Sequence, residues 1–179
     1  MPGTPTTSTT VATAAIRIIT EVRPDQAATF PITLGQFYRR PAIRRDIVAG
    51  AVRPRRDRSL EFDFPSEATL IGSAIGGFVL VVLNGAASGV LVELATGWLR
   101  RLPMWLRTRW FALRGRKLPP AGADAPLPRL PATQAAQVGA LVRRLALRAG
   151  LPAELAQRLG TLVAAALTEP LGPAGDDGD

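Results

Sequence analysis

The chain has 179 residues, 22 of them basic and 14 acidic, for a net charge of +8. It contains no cysteine and no histidine, which excludes disulfides, thiol nucleophiles, His-based triads and zinc sites of the usual ligand types. The acids are scattered without ligand-like spacing, so the expectation is a non-enzymatic protein with no metal or cofactor, whose positive charge suits anionic lipid or nucleic acid.

Taken in chain order, residues 1–10 (MPGTPTTSTT) have nothing apolar to bury and read as a disordered tail. Residues 11–65 read as a small α+β unit. Ile16 and Ile18 alternate in VATAAIRIITEV (11–22) and suggest a strand. TFPITLGQFYRRPAIRRDI (29–47) is ambiguous: its first half could be a strand, kept to an edge by Pro31, and its second half could begin a helix near Leu34 that Pro41 interrupts. SLEFDF (59–64) sets Leu60, Phe62 and Phe64 against Glu61 and Asp63, the cleanest alternation in the chain. Between these pieces lie Arg39, Arg40, Arg44, Arg45, Arg53, Arg55, Arg56 and Arg58, opposed by Asp46 and Asp57 alone. They read either as a solvated face or as a contact for anionic lipid or nucleic acid.

Residues 66–117 read as an apolar helix with an aromatic and basic collar. Ser66 is a candidate N-cap. Ala68 to Val92 is a run of 25 uncharged residues, and a membrane span needs about 20. The collar at 98–117 interleaves Trp98, Trp105 and Trp110 with Arg100, Arg101, Arg107 and Arg109, the composition of a membrane interface. Three readings of the run stay open. A single span is long enough, but arginines flank it on both sides. A helical hairpin inserted in the bilayer and turning at Asn84-Gly85 suits those flanks. At 100° per residue, Gly72 and Gly76 face away from Gly85 and Gly89, so the two pairs pack together only if the chain turns between them. A buried core or oligomer interface is the third reading, against which the rest of the chain offers little apolar cover. Glu93 is expected near the interface, beside Arg100 or Arg101.

Residues 118–133 read as a proline-rich linker. Residues 134–168 read as two amphipathic helices, with Leu141, Leu145, Leu155, Leu159 and Leu162 as the face for a protein partner. Gly150 closes the first helix and Pro152 opens the second. Residues 169–179 form a tail. ALRAGLPAELAQRL (146–159) also has helix-turn-helix spacing, so a protein-binding hairpin and a DNA-reading pair are both on the table.

The pieces AIRII (15–19), LGQFYRRPAIRRDI (34–47), the Gly-rich run and WLRR (98–101) occur in an order that resembles the small effector-associated constant components of actinobacterial conflict systems, with their TRADD-N-like N-terminal region. The resemblance covers about half of the chain; the insert at 48–65 and all of 118–179 depart from it. It implies a non-enzymatic adaptor or membrane component acting beside separately encoded effectors. VRRLALRAGLPAELAQRLGTLVAAALTEP (142–170) is similar to the first helices of the anti-sigma-factor kinase-like ATPases. Ala165 and Glu169 stand where that family's N-box has Glu and Asn, and no Gly-rich lid follows, so the likeness carries no ATP site. The function expected is a membrane-associated adaptor at a bacterial inner membrane with cytoplasmic soluble parts, with possible self-association. A soluble nucleic-acid-binding protein and a self-assembling pore are the alternatives.

Overall fold

Val11, Ala14, Ala15, Ile18 and Ile19 recur at helical spacing and form the buried stripe of helix α1 (Val11–Val22). The computed structural model describes residues 9–52, 74–97 and 121–168, together with Arg101, Pro103 and Leu106. Its other helices are α2 (Phe30–Arg39), α3 (Pro41–Val52), α4 (Ala74–Ala87), α5 (Val90–Thr96), α6 (Ala132–Arg148) and α7 (Ala153–Leu167), with a short 3-10 turn at Pro24–Gln26. No strand occurs among the described residues, where only two isolated bridges are found.

The α+β expectation is therefore corrected: the described residues fold as helices without a strand. The β-branched run at 11–22 is helical because its apolar residues satisfy a 3.6 period better than a period of two. Ile16 and Ile18, placed on one face by the strand reading, lie on different sides: Ile16 is 39% exposed and Ile18 is 2% exposed. The first half of 29–47 is not an edge strand either but helix. Pro31 sits in the first turn of α2, where its missing N–H costs nothing. Pro41 opens α3 in the same way. The expected strand at 59–64 and the Ser66 cap lie outside the described residues.

The central apolar run is neither one long helix nor a hairpin turning at Asn84-Gly85. Helix α4 continues through both residues and ends at Ala87. The break comes at Ser88-Gly89, where Gly89 takes a left-handed φ of 76°, and the chain bends by 79° into α5. Asn84 is held by a partner distant in sequence: its Oδ1 accepts a 2.9 Å hydrogen bond from the Ala121 amide. Among the described residues no single helix is long and apolar enough to cross a membrane, though the bent α4–α5 pair passes on length and composition.

The chain itself covers this run. Ile75, Phe78, Val79, Leu80, Val81, Val82, Leu83 and Ala86 are all buried, each fully buried Val or Leu contributing roughly 2 kcal/mol. Helices α1, α2 and α3 pack on α4, α5 packs on α6, and α7 returns to α1. Gly77 allows α3 to come close, since a Cβ there would lie 2.8 Å from Ile47 Cγ2.

Residues 121–131, part of the 118–133 stretch expected to be a stiff proline-rich linker, are laid over the start of α1. The Val11 and Ala12 amides donate to the Ala125 and Ala123 carbonyls at 3.0 and 2.9 Å, and the Leu127 amide donates to the Thr9 carbonyl at 2.9 Å. Thr10 Oγ1 accepts from the Thr13 amide, so three of the four N-terminal donors of α1 are satisfied. Leu127 and Leu130 anchor this strap in the core.

Candidate functional site

Helix α6 ends in a Schellman turn. Gly150, at φ 84°, donates to the Leu147 carbonyl, and Leu151 donates to the Ala146 carbonyl. Pro152 then precedes α7. The two helices meet again at Gly139 and Gly160, where a Cβ on Gly139 would lie 2.6 Å from the Gly160 carbonyl oxygen. That meeting point is roughly 14 Å of helix before the turn and 10 Å after it. Helices crossing at the 90–120° of a helix-turn-helix would separate these positions by about 17 Å or more. The pair is an antiparallel hairpin, and its geometry does not set a recognition helix for a DNA groove.

The hairpin's leucines divide into two groups. Leu141, Leu145 and Leu159 are buried, facing the other helix and the rest of the core. Leu155 and Leu162 are half-buried and lie two turns apart on the same side of α7. Of the packing residues expected in the apolar run, Gly76 and Gly85 are buried, Asn84 is half-buried, Gly89 makes the bend, and Glu93 is exposed. Glu93 makes no ion pair with Arg101. Arg101 itself is exposed. Gly72, Trp98, Arg100, Trp105, Arg107, Arg109 and Trp110 lie outside the described residues.

The described surface is strongly basic. Two ion pairs occur among the described residues, Arg17–Glu21 at 3.3 Å and Arg23–Asp25 at 2.8 Å. The Arg23 guanidinium, hydrogen-bonded to Asp25, holds that carboxyl below its ordinary range. Arg39, Arg40, Arg45, Arg129, Arg143, Arg144 and Arg158 are exposed, Arg44 and Arg148 half-exposed, and none forms an ion pair with a described acid. No group of three or more acids that could hold a metal is found among the described residues.

Helix α2 carries three buried polar atoms without a hydrogen-bond partner: Thr33 Oγ1, Gln36 Oε1 and the Tyr38 hydroxyl oxygen. Burial pushes the Tyr38 hydroxyl up to about 12, against a smaller opposing effect of Arg44. The sequence reading did not single out the outer strip of α6, formed by Arg143, Arg144, Leu147 and Arg148. The available signal was a stretch from Ala132 to Pro152 with three arginines and no acid. Compared with known proteins, the chain matches no family model, no curated protein and no solved structure.

Proposed function

We propose that this chain is a non-enzymatic, membrane-associated adaptor that meets anionic lipid through its arginine surface and a protein partner through its C-terminal helices. One observation carries the reading: ten of the twelve described arginines have no acidic partner among the described residues. An uncompensated positive surface attracts anionic headgroups, each arginine near such a surface contributing about 1 kcal/mol. The tryptophans and arginines of 98–110 suit the same interface by composition. For the protein partner, Leu155 and Leu162 offer a half-exposed apolar edge, while the buried leucines hold the hairpin rigid. The apolar α4 serves in this reading as the core that fixes the basic helices in place.

Co-sedimentation tests it. The full chain is mixed with vesicles of phosphatidylglycerol and phosphatidylcholine in equal parts, or of phosphatidylcholine alone, across a salt series. The expected result is binding to the anionic vesicles alone, weakening steeply as salt rises. Failure to bind anionic vesicles at low salt refutes the lipid part of the proposal. Tighter binding to duplex DNA than to those vesicles at equal salt moves the function to nucleic acid.

A further inference from the structure

Within this lipid-binding reading, we infer that the outer face of the C-terminal half of α6 is the surface that docks on the anionic membrane. On an ideal helix, Arg143, Leu147, Arg144 and Arg148 fall in that angular order within an arc of roughly 140°. The arc lies opposite the buried residues Val138, Val142, Leu145 and Ala146. Arg143 and Arg144 are exposed, Arg148 is half-exposed, and Leu147 is 42% exposed, one of three large apolar side chains on the described surface that are exposed. Leu147 is one turn from Arg143 and Arg144 and adjacent in sequence to Arg148, so an apolar side chain sits inside a basic frame.

The helix dipole does not account for this grouping. A cation in the last turn offsets the negative C-terminal end, and the effect fades beyond that turn. Arg148 occupies the last turn; Arg143 and Arg144 precede it. Charge alone fits an acidic peptide as well as a lipid headgroup, and shape decides between them. The strip is the exposed, convex side of α6, with Arg143 at its edge nearest α7, its Cβ 3.3 Å from where a Cβ on Gly160 would lie. A planar lipid surface, whose headgroups rearrange around a convex contact, covers such a strip. Leu147 then reaches the acyl boundary while the arginines stay among the phosphates. The small, uncharged residues Ala136 and Ala140 on the preceding turns let the helix lie flat.

The test uses the full chain and the vesicles described above. Arg143→Gln, Arg144→Gln and Arg148→Gln combined are expected to weaken binding on the order of a hundredfold, with the circular dichroism unchanged. Because the chain has no cysteine, Leu147→Cys carries an environment-sensitive dye at one position. The dye is expected to shift to the blue on anionic vesicles, and the same dye at Ile32→Cys is not. If the wild type fails to bind anionic vesicles, the lipid reading itself falls. If the wild type binds and the triple variant binds within threefold of it, this face is the wrong one and the broader reading stands. Loss of binding in Arg39→Gln/Arg40→Gln/Arg45→Gln instead places the contact on α2–α3 and overturns the inference. So does a triple α6 variant that loses polyaspartate but not vesicle binding.

Discussion

Replacing Ile47 and Gly77 by cysteine staples α3 to α4 and asks whether the apolar helix leaves its cover when the protein works. A Cβ built on Gly77 lies 3.8 Å from Ile47 Cβ, close to the mean separation in disulfides, about 3.8 Å. The same Cβ would overlap Ile47 Cγ2, 2.8 Å away, and removing the isoleucine branch relieves that overlap. With no other cysteine in the chain, mild oxidation can make one intramolecular bridge. It closes a loop of about thirty residues, for which chain entropy predicts about 3–4 kcal/mol of stabilisation over the reduced form. Comparing the oxidised and reduced states of one variant cancels the cost of truncating Ile47. For a chain of this length, a calorimetric midpoint rise of about 10 °C is expected. The oxidised protein should also bind anionic vesicles as well as the reduced one does, because the arginines make the contact while α4 stays in the core. A bridge that does not form in the folded protein refutes the α3–α4 packing. A bridge that forms and abolishes vesicle binding shows that α4 must be released, and refutes the assignment of α4 to a permanent core.

Tyr38 is the one tyrosine in the chain, so phenolate absorbance reports it alone. Its titration midpoint should lie above the ordinary 10, toward about 12, in the folded protein and return to the ordinary value in denaturant. The folded state holds this proton more tightly, so the associated stability is complete below pH 10 and is lost as pH rises toward 12. A folded-state midpoint at the unperturbed value contradicts the burial of the hydroxyl. Gly139→Ala forces a Cβ to within 2.6 Å of the Gly160 carbonyl oxygen. Urea unfolding should show a loss of about 1–3 kcal/mol, whereas Gly35→Ala, with open space around the new Cβ, should not be destabilising. Equal behaviour of the two variants would argue against the close α6–α7 crossing.

How much of this could be read in advance depends on whether the deciding partner was local. The turn after α6 was readable because Gly150 and Pro152 make it through their own backbone chemistry. The stripe of α1 is present in the sequence as Val11, Ala14, Ala15, Ile18 and Ile19, but the short β-branched run also sets Ile16 and Ile18 at a period of two. Asn84-Gly85 carries strong turn chemistry, yet both residues stay helical. Gly85 and Ala86 are buried there, and the Asn84 amide is occupied by the backbone of Ala121, a partner 37 residues away that no local pattern announces. The basic strip of α6 follows from one helix and an absence of acids, a weaker pattern in the sequence than the leucine periodicity beside it. Of those leucines, Leu141, Leu145 and Leu159 are buried, in a hairpin whose first helix packs on α5, a demand visible only once the bend at Gly89 places α5.

The strap over α1 also orders events during synthesis. The Val11 and Ala12 amides find their acceptors in Ala123 and Ala125, more than roughly 110 residues later, a contact of high sequence separation and therefore slow to form. Helix α4 emerges with α1, α2 and α3 already made, but α6 is complete only some sixty residues after α4. At a bacterial or eukaryotic elongation rate of about 5–20 residues per second, that gap lasts roughly 3–12 s. Until then the nascent chain holds α5 without the helix it packs on, and until the strap is made the first turn of α1 is unfastened. A ribosome stalled near residue 120 would display that intermediate, and a chaperone that reads exposed valine and leucine would find it there.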